Sequence, residues 1–410
     1  MSDAFDIAIV GAGPVGAGLA LALDGAGYRV AVIEAAPPSS ETGSTFDARS
    51  LALAWASRQV LATIDPALWA EIEAGAAPIH RIHVSDRGRP GFARLDREDE
   101  QVPALGYVVE NRVLGRALHE ALDRSGVELF CPARVTAVDR SPQRARVLAE
   151  GPEGRVDLTA SLLVAADGGN SAVREGAGIG THRVEYGQTA VIANVAPALD
   201  PGTTAWERFT ETGPLALLPL TEGRCSLVWT CRKGEEEELL GLDDAAFLQR
   251  LEARFGGRLG GFTAVGERHA YPLGLQYAER FTARRLAVIG NAAHVLHPVA
   301  GQGYNLGLRD AAVLAEVLAD ARRAGRDPGD EALLTDYARR RRADYARTTA
   351  FTDGLVRTFS NAVAPVAPVA ALRAAGLVAL DRLPPARHAL ARQAMGLGGR
   401  SPRLARGLAP

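Results

Sequence analysis

The chain has 410 residues, 46 basic and 48 acidic side chains for a formal charge of −2, and 47% hydrophobic residues. That length exceeds one ordinary hydrophobic core and calls for two or three domains, or one large α/β fold with an inserted sheet. The balanced charge removes any whole-chain attraction to nucleic acid or acidic membranes, and three cysteines without a CxxC pair (Cys131, Cys225, Cys231) argue against a disulfide framework or zinc ribbon and favour a reducing cytoplasm.

Asp6 to Val10 reads as a buried parallel strand. Asp3 and Asp6 stand where a signal sequence would be basic, so no targeting segment is expected there. The strand runs into Gly11-Ala12-Gly13-Pro14-Val15-Gly16; Ala17 to Gly27 then reads as a helix, and Tyr28 to Ile33 as a second strand closing on Glu34. This is a dinucleotide-binding unit. Gly11 allows the tight turn, Gly13 lets backbone N–H groups approach a pyrophosphate, Gly16 lets helix and strand pack closely, and Glu34 is placed to accept hydrogen bonds from ribose hydroxyls. The unit alone does not separate FAD from NAD.

Glu110 to Leu122 is an amphipathic helix, and Val127 to Phe130 and Arg134 to Asp139 are strands returning to the nucleotide sheet. A further buried strand, Leu162 to Ala166, ends in Asp167-Gly168-Gly169-Asn170-Ser171, with Arg174 beyond. An acid beside flexible glycines at the carboxyl end of a strand sits where ligands bind in open α/β sheets, although Asp-Gly is also a common turn. Ala190 to Val195, Ala205 to Thr210, Leu215 to Leu220 and Cys225 to Thr230 form the pattern of an antiparallel sheet, taken as the substrate domain. Laid over a cofactor ring, that sheet would present Leu215, Leu217, Pro219 and Trp229, although core packing suits any one of them better. Glu235 to Glu238 and Arg339 to Arg342 read as solvated charged faces.

Leu286 to Ile289 is a strand followed by Gly290-Asn291-Ala292-Ala293-His294, then by His297-Pro298-Val299-Ala300-Gly301-Gln302-Gly303-Tyr304-Asn305 and a helix from Leu306 to about Leu318. Glycines just before a helix expose N–H donors at its positive end, and an isoalloxazine ring that becomes anionic on reduction would gain about 0.3–1 kcal/mol there. His294 and His297 lack a third ligand, so no metal is expected. With one dinucleotide fold, an enzyme that also used a nicotinamide reductant would have to take it transiently over the bound cofactor. Thr358 to Leu372, broken by Pro365 and Pro368, falls short of the roughly 20 residues of a spanning helix. Between Arg373 and Arg406, seven arginines stand against Asp381 alone, which suits either a membrane-surface tail or a helical cap on the FAD domain.

These segments, in this order and spacing, resemble the single-component flavoprotein aromatic hydroxylases, the group that includes para-hydroxybenzoate hydroxylase. Phe46 to Leu53 and the run from Leu296 to Asp310 look like the ubiquinone-pathway branch, and His83 to Gly88, Glu207-Arg208-Phe209 and Gly213 to Pro219 are similar to its 2-polyprenyl-6-methoxyphenol hydroxylases. The resemblance implies an α/β fold: a Rossmann-like FAD-binding domain with an inserted antiparallel β-sheet substrate domain and a C-terminal helical segment. The expected division is 1–75, 106–180 and 276–350 for the FAD domain, 76–105 and 181–275 for the substrate sheet, and 351–410 for the C-terminal region. It also implies Arg49 and Arg112 against the flavin and its phosphates, Asp167-Gly168 near FAD and the nicotinamide donor, and Asn291 near the ribityl chain, where most of the group has aspartate. Gly303, Tyr304 and Asn305 would offer backbone contacts to the isoalloxazine edge, with Gly301 at the same cofactor-binding turn and Pro298 in the substrate pocket.

The implied reaction uses NAD(P)H, FAD and dioxygen, through a flavin hydroperoxide, to hydroxylate a polyprenylated methoxyphenol. No acid or nucleophile is required, and the sequence singles out no base for the phenol. Partners would be the phenol, dioxygen, other ubiquinone biosynthesis proteins and, through the C-terminal region, a membrane surface, with a cytoplasmic location peripheral at that membrane and no nucleic acid. The rival readings are a non-catalytic flavin-bound subunit of a biosynthetic complex and another flavoenzyme of the same fold. Of the latter, a halogenase is disfavoured because Trp-x-Trp-x-Ile-Pro is missing.

Overall fold

The structure, a computed structural model, describes residues 3–37, 50–152, 154–296, 301–359 and 367–410. Arg49 and Pro298 lie outside the described residues. At the centre of the first sheet, Asp3–Val10 pairs in parallel with Val30–Ile33 on one side and Gly154–Ala165 on the other, and Glu128–Phe130 and Leu286–Val288 extend it at either end. Ile7, Ile9, Leu163 and Val164 are fully buried, as expected of parallel strands covered on both faces. Helix Pro14–Asp24 starts three residues earlier than the pattern predicts, because Pro14 suits a first helical position, where its missing N–H costs nothing. Its small residues bring it against helix Gln302–Arg323: a Cβ on Gly307 would lie 2.9 Å from Val15 Cγ2.

Among the described residues, the second sheet has nine strands. Thr204–Thr210 pairs antiparallel with Gly213–Pro219 and parallel with Arg81–Asp86, so a hairpin from early in the chain enters the same sheet as the residues after 181. Ala76–Ile79, grouped with that sheet in the sequence reading, instead joins Ser50–Ala54 and Gly106–Glu110 in a separate three-stranded sheet. Helix Asp244–Phe255 covers one face of the large sheet, and its Phe247, Leu251 and Phe255 form a core with Leu215, Leu217 and Trp229. This corrects the expected pocket. Leu215, Leu217 and Trp229 belong to that core, and Pro219 shares their face by strand alternation; the opposite face carries Pro214, Ala216, Leu218 and Val228. Alternation defines two faces, but only the position of the covering helix decides which is core.

A second correction concerns the arginine run. Arg339 is exposed on helix Glu331–Phe359, whereas Arg341 turns inward and is 2% exposed. The C-terminal helices Ala367–Arg382 and Pro384–Ala394 pack on the early hairpin and the short helix after it: Asp381 accepts from the Arg94 N–H at 3.1 Å, and His388 Nδ1 lies 2.6 Å from Glu100. Among the described residues, no helix is long and apolar enough to cross a membrane.

Candidate active site

Between the sheets and beneath the C-terminal helices lies a cavity of about 980 Å³, at the upper end of the range for small-molecule sites, about 300–1,000 Å³. The glycine turns of the nucleotide sheet contribute Gly13, Gly168, Gly290, Asn291, Gly301 and Gly303 to its wall. The apolar face of the large sheet and the C-terminal Leu377, Leu380 and Leu390 supply much of the rest.

The first turn shows why its glycines are needed. Gly11 has φ +104°, and a Cβ there would meet the Ala166 carbonyl oxygen at 2.4 Å; a Cβ on Gly16 would meet the Gly11 oxygen at 2.0 Å. Gly13 differs, because a Cβ there would meet nothing within 4 Å and would point into open space. The helix it opens has no side-chain cap, so its first N–H groups are available to an anion. Glu34 sits beside this turn, accepting from the Ala12 N–H at 2.7 Å and the Ala36 N–H at 2.9 Å.

The late turn repeats the design. Gly301, in left-handed conformation at φ +58°, precedes helix Gln302–Arg323 without a side-chain cap, and a Cβ on Gly303 would again meet nothing within 4 Å. Asn305, expected to offer a backbone contact at the cofactor edge, lines the cavity, and its side chain is turned to scaffolding. Its Oδ1 accepts from the Ala54 N–H and Ser57 Oγ, and its Nδ2 donates to the Ala52 and Gly301 carbonyls, all at 2.6–2.8 Å. The adjacent Tyr304 lines the cavity with a hydroxyl that is buried, has no hydrogen-bond partner among the described residues and is pushed well up in pKa by burial.

Four buried groups hold these turns in place. Asp310 accepts from the Gly290 N–H at 3.0 Å, meets His294 Nε2 at 2.7 Å and accepts from Arg341 Nε at 2.6 Å. Burial acts to raise the Asp310 pKa, but Arg341 and His294 outweigh it and hold the carboxyl below its ordinary range. Arg174, 1% exposed, donates to the carbonyls of Gly169 and Ala292 and so ties the two cavity turns together. Asp310 was visible only as part of a motif, and nothing in the sequence distinguishes Arg341 from its neighbours.

The other expected residues divide. Gly168, at φ +87°, and Asn291 line the cavity. Asp167 does not; its carboxylate accepts from Ser171 Oγ at 2.5 Å and from the Val173 N–H at 3.2 Å. Arg112 is also outside the lining, paired at 2.7 Å with Glu110, while the neighbouring Asn111 lines it with a buried Oδ1 that has no partner among the described residues. Glu207, singled out only within a family motif, lines the cavity, and burial pushes its pKa up to about 7.

The residues present fit FAD. Two uncapped helix N-termini open on the cavity, Gly13 and Gly303 leave space a side chain would fill, and buried polar atoms of Asn111 and Tyr304 await partners. Comparison with known proteins agrees. Residues 4–352 match the family described as FAD binding domain. The chain is 44% identical over 408 residues to ubiquinone hydroxylase UbiL of Rhodospirillum rubrum, spanning 98% of this chain and 93% of that protein. It is 34% identical over 394 residues to 3-demethoxyubiquinol 3-hydroxylase of Escherichia coli, spanning 96% and 98% of the two chains. Among solved structures, p-nitrophenol 4-monooxygenase PnpA from Pseudomonas putida superposes with a TM-score of 0.80 at 22% identity, over 98% of this chain and 100% of that one. At that identity the likeness speaks to the fold.

Proposed function

The chain belongs to the FAD-binding monooxygenases related to the ubiquinone-biosynthesis hydroxylases, and on that premise we propose that it hydroxylates a polyprenylated methoxyphenol with NAD(P)H and dioxygen. The observation that carries this reading is the wall of the cavity. It joins the two glycine turns to a continuous apolar lining that includes Ala216, Leu218, Leu377, Leu380 and Leu390, as a ring with a long hydrocarbon substituent requires.

When bound and reduced, FAD supplies one oxygen atom of dioxygen to the ring, and the other leaves as water. The chain's residues do the rest. The N–H groups behind Gly13 would hold the pyrophosphate, Glu34 a ribose, Asn291 the ribityl chain, and the helix end at Gly301 and Gly303 the ring edge. Asn305, Asp310 and Arg174 keep those turns in register. The aliphatic lining excludes water from the site of oxygen transfer. With one dinucleotide fold in the chain, the nicotinamide donor would visit the flavin transiently.

The prenyl chain would run toward the C-terminal helices, which expose Val378 at 36% and Leu383 at 55% near Arg382 and Arg387. Such a corner supports peripheral contact with a membrane that stores prenylated intermediates, from the cytoplasmic side, where the three free cysteines are at home. Similarity to a 3-demethoxyubiquinol 3-hydroxylase favours a second reading of the same chemistry, at another ring position of a neighbouring intermediate. A scaffold role has less support, since it would not need Gly13 and Gly303 to face open space. The test is NAD(P)H oxidation by the FAD-loaded protein with a panel of short-chain prenylated phenols: stimulation by one member with matching product supports the reading and fixes the ring position, and none with any member contradicts it.

A further inference from the structure

Of the described residues that line the cavity, Glu207 is the only charged one. It stands in the middle of strand Thr204–Thr210 between Ala205 and Phe209, which share its face. Its strand neighbours are Ala216 on one side and Val84 on the other, and both also line the cavity. No hydrogen bond or ion pair to Glu207 is found among the described residues. The flanking Arg208 is on the other face, where a Cβ on Gly256 would lie 3.5 Å from its Nη1. The remaining titratable group of the described lining is Tyr304, whose hydroxyl has no partner. A carboxylate unpaired among the described residues, in an apolar wall, contributes nothing to folding and costs desolvation, so its presence points to work on a ligand.

Resting on the hydroxylase reading above, we propose that Glu207 is the group that takes the proton of the substrate's phenolic hydroxyl during ring hydroxylation and returns it afterwards. As the ring carbon forms its bond to the incoming oxygen, electron density flows from the phenolic oxygen, and the O–H proton passes to the Glu207 carboxylate. The hydroxylated cyclohexadienone then rearomatises: the C–H proton of the new C–O carbon departs and, with one solvent proton taken up alongside the NAD(P)H electrons, converts the second oxygen atom to water, and Glu207 returns its proton to the ketone oxygen. The carboxylate is regenerated, and NAD(P)H supplies the two electrons of the overall reaction. Burial that brings the carboxyl to about 7 suits this exchange, leaving it substantially ionised yet basic near neutral pH.

The experiment measures anaerobic binding of short-chain 2-prenyl-6-methoxyphenol and of its O-methyl ether to the FAD-loaded protein across pH, for wild type and Glu207→Gln. In wild type the phenol should bind about tenfold more tightly above pH about 7 than below it, because an ionised carboxylate accepts the O–H more strongly. The ether should show no such step, nor should either ligand with Glu207→Gln. With NAD(P)H and dioxygen, that variant should form product roughly a hundredfold more slowly. Parallel pH profiles for phenol and ether in wild type would overturn the assignment even if wild type makes product, leaving the hydroxylase reading intact. Failure of wild type to bind either ligand would overturn both. Because the decisive comparison is within wild type, it holds even if the variant folds poorly.

Discussion

Arg341 reaches out of a run of four arginines to place its Nε 2.6 Å from Asp310 Oδ1, with both side chains 2% exposed. The other Asp310 oxygen accepts from the Gly290 N–H, so a charge on the distant helix Glu331–Phe359 fixes the turn that carries Asn291 into the cavity.

Breaking this pair leaves an uncompensated buried charge. Arg341→Ala should cost about 3–5 kcal/mol of stability and weaken FAD retention as the Gly290 turn loosens, read by thermal denaturation and flavin absorbance. Normal flavin content and an unchanged melting temperature would show that the pair does not hold the turn.

The same pair sets an acid limit. The Asp310 pKa is held below its unfolded value, so its contribution is present above the unfolded carboxylate range, about pH 3.9, and is lost as pH falls through the folded value. Flavin release on acid titration should therefore begin below pH about 4 in wild type, and at higher pH with Arg341→Ala.

Two glycines separate cofactor space from folding. A Cβ on Gly303 enters open space, so Gly303→Leu should leave the apo-protein's melting temperature essentially unchanged while abolishing FAD binding. Gly16→Ala drives a Cβ to 2.0 Å from the Gly11 oxygen and should destabilise the apo-protein itself by about 1–3 kcal/mol or more. Full flavin occupancy in the Gly303 variant would displace the ring from this turn.

The faces of strand Gly213–Pro219 predict opposite phenotypes. Leu217→Ala empties a core site and should cost about 2–5 kcal/mol with little change in substrate affinity. Ala216→Trp should fill the cavity, keep the fold and abolish binding of the prenylated phenol. Calorimetry on each variant distinguishes the two.

Glu207 also makes a stability prediction. Its folded pKa, about 7, lies above the unfolded value of 4.5, so the folded state holds the proton more tightly. The desolvation penalty is absent at low pH, grows between pH 4.5 and 7 and is complete above. Glu207→Gln should accordingly be more stable than wild type above pH 7, by up to a few kcal/mol, with the advantage vanishing at pH 4.5. Equal denaturation curves at high pH would mean that the carboxylate is solvated.

What was legible in the sequence was what backbone conformation forces. Gly11, Gly16 and Gly301 are dictated by a positive φ or a contact no side chain survives, so the turns and their strands could be placed from the residues alone. The face of the large sheet could not. Ala216 and Leu217 alternate, and the pattern offered Leu217 to the pocket as readily as to a core, whereas the larger residues pack under helix Asp244–Phe255 and the smaller ones leave room for a ligand. Arg341 was hidden because a run of like charges on a helix faces several directions at once. The chemistry of Glu207 emerges only against the apolar wall around it, which is assembled from distant segments.

The most direct test is turnover with isotopically labelled dioxygen, NADPH and short-chain 2-prenyl-6-methoxyphenol, with the product analysed by mass spectrometry. A hydroxylase of this kind places one labelled oxygen atom on the ring for each NADPH consumed in coupled turnover. Retained FAD with an unmodified phenol and unmodified neighbouring prenylated intermediates would contradict the hydroxylase reading.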